Sequence, residues 1–92
     1  MIRMTKRPRS QNVQTALTDA SNSLNKAENA VKQAVSYPND TLVDQAENAL
    51  DRAQNAIDVT LESENQIAVK RLTDHYQVAA QKLDEVKEEL ER

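Results

Sequence analysis

No glycine occurs in the 92 residues of the chain. Tight turns, nucleotide-cradling loops and left-handed helix caps lean on a residue without a Cβ, and average usage would place about six in a chain of this length. Folds that need many turns are therefore disfavoured, and an all-α chain with few reversals is expected. Only 38% of the residues are hydrophobic, and twelve of those are Ala, which leaves few large side chains for burial. A chain this short is near the size at which a single core is marginal. One small domain, completed by a second copy, fits those numbers.

Other classes are closed by what is missing. Without Cys there is no disulfide framework, thiolate zinc site or thiol nucleophile, which fits a reducing compartment. No apolar stretch approaches the roughly 20 residues that span a bilayer, and the opening residues are basic without an apolar segment behind them. A soluble cytoplasmic protein without membrane contact is expected. Arg3, Lys6, Arg7 and Arg9 supply four of the twelve basic residues, so the chain from residue 10 onward carries eight basic against fifteen acidic side chains. The expected organisation is a basic flexible arm over 1–9 and a single helical domain over 10–92.

Ser10 is a plausible N-cap for the first helix, about 10–36. Val13, Leu17, Ala20, Leu24, Ala27, Val31 and Ala34 recur at alternating steps of four and three, which keeps one stripe turned towards a partner helix. Alternate layers are Ala, so the partner can approach closely and should itself be Ala-rich. Pro38 pushes Tyr37 out of helical geometry, and Asn39 or Asp40 can cap the next helix. So short a connection makes the two helices antiparallel neighbours.

From Thr41 to Arg92 there is neither Gly nor Pro. Leu50, Leu61, Leu72 and Leu83 fall eleven residues apart, with Ala46, Ile57, Ala68, Ala79 and Leu90 on a parallel series, a repeat of about 3.67 residues per turn. The favoured reading is one long second helix, about 40–91, forming an antiparallel hairpin that assembles as a dimeric bundle. The alternative is a three-helix bundle with a break near Ser63, where Ser63-Glu64-Asn65-Gln66 matches a capping box.

A long second helix leaves half of its stripe without a partner inside the chain. Leu50, Ile57, Leu61, Ala68, Leu72, Ala79, Leu83, Val86 and Leu90 form the expected self-association stripe, because each large aliphatic residue left in water forfeits roughly 1.5 to 3 kcal/mol. The same series puts Glu64 and His75 in line with the stripe. Two readings of them stay open: an inter-chain polar pair across an antiparallel dimer, sensitive to pH through the imidazole, or solvated positions at the stripe edge.

No enzyme is expected. His75 has Leu72 three positions before it, so the Glu-x-x-His element of dimetal helical bundles is absent, no glycine is there to form a phosphate loop, and one His without a loop scaffold does not activate a Ser or Thr. No catalytic residue, metal or cofactor is assigned. Arg3, Lys6, Arg7 and Arg9 are candidate contacts for phosphates or for an acidic partner, although no aromatic residue accompanies them for base stacking. The acidic run Asp84, Glu85, Glu88, Glu89 and Glu91 sits at the unfavourable end of the helix dipole, so fraying past Val86 is expected. Tyr37 can cover the hairpin end or anchor a partner.

In the run from Asn39 through Ala46-Glu47-Asn48-Ala49 to Leu50, and in the Gln/Glu-rich half that follows, the chain resembles short uncharacterised helical proteins of spore-forming Gram-positive bacteria over residues 13–90. That resemblance implies no activity. The expectation is a non-enzymatic protein–protein interaction module, a small self-associating regulator, adaptor or antagonist, with the partner unidentified. The alternative is a nucleic-acid-associated protein that contacts phosphates through its basic arm.

Overall fold

The structure, a computed structural model, describes the backbone of residues 3–91 and the side chains of residues 15–91. Three helices follow in order: α1, Arg3–Ser36; α2, Asp40–Val59; and α3, Gln66–Glu91. Each helix packs on both others. Glu47 meets Lys87 and Gln54 meets Tyr76, so α2 and α3 are antiparallel. Glu28 stands by His75 while Ser36 lines a groove with Glu89, so α1 and α3 are parallel. The result is an up-down-up bundle, 58 × 24 × 16 Å in extent.

The 34 residues of α1 measure about 51 Å at 1.5 Å per residue, against roughly 30 Å for α2. Both start from the same short connection, so the excess length of α1 lies at its N-terminal end. Helical backbone begins at Arg3, seven residues ahead of the start expected at Ser10.

The core uses the expected stripe of α1. Ala20, Ala27 and Ala34 have no exposed surface, and neither have Ala46 and Ala53 of α2. The Ala-rich neighbour is therefore α2, and these small side chains let the two helices close on each other. Leu24, Val31, Val43, Leu50, Leu83 and Val86 fill the space between the three helices. Removing each of these from water contributes roughly 1.5 to 3 kcal/mol.

The uninterrupted helix over 40–91 does not form; the reversal near Ser63 does. Buried positions in α2 and its cap are Val43, Ala46, Leu50, Ala53, Ile57 and Thr60, and those of α3 are Val69, Ala79, Leu83 and Val86, with Leu72 and Tyr76 half-buried between them. Both sets step by three and four. From Thr60 to Val69, however, the step is nine residues, two and a half turns. A heptad continued from α2 would turn Val69, Leu72 and Tyr76 outward and bring Glu64, Arg71 and Asp74 onto the seam. The Leu series joins residues of unlike status: Leu50 and Leu83 are buried, whereas Leu61 is 52% exposed.

Neither connection uses a left-handed residue, since no described residue has positive φ. In the first, Asn39 is extended at φ −157°, ψ 162°, and its side chain accepts from the Leu42 N–H at 2.9 Å. In the second, Thr60 ends α2, its hydroxyl donating to the Ile57 carbonyl at 2.6 Å. The capping box is not built as expected. Asn65 is the cap of α3, accepting from the Ala68 N–H at 3.1 Å, while the Ser63 hydroxyl accepts from the Asn65 N–H and the Gln66 amide donates to the Leu61 and Ser63 carbonyls. Helical structure continues to Glu91 rather than fraying after Val86.

Candidate interaction surface

The expected self-association stripe is largely consumed by the fold. Leu50, Ile57, Ala79, Leu83 and Val86 are buried inside the chain's own bundle, and Ala68 and Leu72 are half-buried. Only Leu61 and Leu90, at 52% and 38%, remain exposed. Once α3 folds back on α1 and α2, the half-stripe that was to demand a second copy has its partner.

Glu64 and His75 are not brought into line, because the straight helix that aligned them is broken between them. Glu64 is exposed in the second connection. His75 instead places Nδ1 3.4 Å from Glu28 Oε2 on α1. This pair is long and solvent-exposed, the kind that contributes about 1 kcal/mol at most. Its role is to mark where α3 passes α1.

On the opposite side, between α2 and α3, Tyr76 donates its hydroxyl to Gln54 Oε1 at 3.3 Å. Burial raises the Tyr76 phenol above its ordinary pKa, and the neighbouring carboxylates Asp51, Asp58 and Asp84 push it the same way. Lys87 bridges to Glu47, and that hydrogen bond, with the carboxylate's charge, raises the Lys87 pKa. Both effects strengthen the ordinary protonation state at neutral pH. Neither prepares a group to exchange protons there. Among the described residues no group of three or more His, Asp or Glu side chains could hold a metal ion.

The larger of two grooves runs between α1 and α3 and encloses about 610 Å³. Its floor is Val31, Ala79 and Val86, and its rims carry Lys32 and Lys82 across from each other, with Glu85 and Glu89 towards the C-terminal end of α3. Val35 and Val78 leave 48% and 52% of their surface in the open at its edges.

The remaining exposed large apolar residues cluster by position in the fold. Val59, Leu61 and Ile67 flank the second connection, and Tyr37 and Leu90 lie with Val35 at the opposite end. Six of the seven exposed large apolar residues thus sit at the two ends of the bundle. Tyr37 is 71% exposed and does not cover the hairpin end. Val59, Ile67, Val35 and Val78 were not singled out by the sequence reading. The signal was available: each is an aliphatic residue off the three-and-four stripe of its own helix.

Charge is also divided between the ends. Asp84, Glu85, Glu88, Glu89 and Glu91 close α3 beside the start of α2, where Asp40 and Asp44 lie. Arg3, Lys6, Arg7 and Arg9 belong to the opening turns of α1, at the other end, where Lys70 and Arg71 begin α3. The side chains of those four α1 residues lie outside the described ones. No described helix is long and apolar enough to cross a membrane. Comparison with known proteins returns nothing: no family model matches the chain, and no curated protein or solved structure matches it.

Proposed function

We propose that the chain is a non-enzymatic protein–protein interaction module that associates with copies of itself, acting as a small helical regulator, adaptor or antagonist. One observation carries this reading. A bundle whose large apolar residues mostly fill its own core still leaves Val35, Tyr37, Val59, Leu61, Ile67, Val78 and Leu90 in water. Single exposed apolar residues are ordinary on soluble proteins; sets gathered on one surface mark contact sites. The titratable groups add no competing chemistry, since His75, Tyr76 and Lys87 are each engaged in contacts between helices.

Native mass measured by sedimentation over a wide concentration range tests the reading. The mass should rise above that of one chain at high micromolar concentration and low salt. A single-chain mass throughout would sink self-association.

A further inference from the structure

We infer that copies of this chain join head to tail, the acidic C-terminal end of α3 in one copy meeting the basic N-terminal end of α1 in the next. The inference rests on the self-association proposed above and specifies its geometry. Because α1 and α3 are parallel, the basic and acidic segments emerge at opposite ends of a body 58 Å long. They cannot pair within one molecule while α1 and α3 remain helical. The opposite charge that each end lacks is found on the far end of another copy.

The apolar residues follow the same division. The acidic end carries Val35, Tyr37 and Leu90, and the basic end carries Val59, Leu61 and Ile67. Each end therefore pairs an apolar patch with charge of one sign, and the two signs are complementary. Such a contact buries apolar surface on both sides while the charges set its direction.

Pairing of like surfaces is disfavoured by the same charges. Acidic end against acidic end sets Glu88 and Glu89 against their own images. Two α1–α3 grooves related by a two-fold axis at mid-groove would set Lys32 and Lys82 against theirs. A head-to-tail contact uses two different surfaces, so every assembly keeps one free end of each kind and growth does not stop at a pair.

End-blocked variants test this directly. Leu61→Glu with Ile67→Glu blocks the basic end, and Glu88→Lys with Glu89→Lys blocks the acidic end. All four residues are exposed, and helical circular dichroism verifies folding. At about 0.01 M salt, where the Debye length is about 30 Å, the wild-type chain should form a series of increasing mass, and each variant alone should sediment as one chain. An equimolar mixture should give a two-chain species and nothing larger, because only one complementary contact survives. Raising salt to about 1 M, where the Debye length is about 3 Å, should weaken wild-type association at least tenfold. A mixture that stays at one chain, or a variant that keeps the wild-type series, overturns the inference. A fixed two-chain species from either variant alone overturns head-to-tail joining but leaves self-association standing. A wild-type chain that never exceeds one copy removes both.

Discussion

The two connections of the bundle reverse the chain by the same device and announce it differently. Asn39 caps α2 by accepting from the Leu42 N–H, and Asn65 caps α3 by accepting from the Ala68 N–H, in each case three residues on. The first reversal is written in one residue, Pro38, which cannot continue a helix. The second is spread over several. Thr60 and Ser63, the buried polar residues of the core, turn their hydroxyls to the chain, and the Gln66 amide takes two carbonyls that the ending helix leaves free. A helix can thus be ended without Gly or Pro when side chains satisfy its last carbonyls and the next stripe starts out of phase.

Removing the phase shift should break this contrast most completely. Deleting Leu61 and Glu62 shortens the step from Thr60 to Val69 from nine residues to seven, so one heptad runs through α2 and α3. The expected product is a fused helix that exchanges with a second copy, seen as a doubled native mass at high salt, where the end contacts are suppressed. A variant that stays a single chain with unchanged hydrodynamic radius would refute the phase argument.

A smaller effect tests whether the second turn is held by its buried hydroxyl. Thr60 is 2% exposed, and Thr60→Ala removes its hydrogen bond and a buried methyl. A loss of about 2 kcal/mol is expected. In thermal unfolding, each kcal/mol lowers the midpoint by about 4 to 8 °C for a domain of this size.

The smallest effects should show the two caps to be alike. Asn39→Ala and Asn65→Ala should each cost about 1 kcal/mol. They sit at opposite ends of α2, so the double variant should match the sum within about 0.5 kcal/mol by denaturant unfolding. If Asn65→Ala costs several times more than Asn39→Ala, the cap of α3 carries strain that its geometry does not display.

Much of the bundle was legible residue by residue. The α1 stripe from Ala20 to Ala34, the Ala-rich partner, the Pro38 break and the Asn39 cap all follow from local rules of spacing and capping. The second reversal was legible only as an alternative, because an eleven-residue Leu series and a three-and-four heptad can share the same leucines. Leu61 belongs to the first pattern alone, and its exposure is what separates them. The His75–Glu28 contact had no signal at all, since the two residues are 47 apart in sequence.

By itself the sequence determined a glycine-poor helical chain, its first turn, the buried face of α1 and a strong separation of basic from acidic segments. Those properties depend on neighbours within a few residues, through backbone sterics, hydrogen bonding and helical periodicity. Only the tertiary structure decided that α3 returns to cover its own chain. That choice compares two ways of burying one stripe, inside the molecule or against another copy, and local pattern is nearly the same in both. Folding back also decided where the charges go: a third helix parallel to the first carries the acidic run to the end of the rod opposite the basic one.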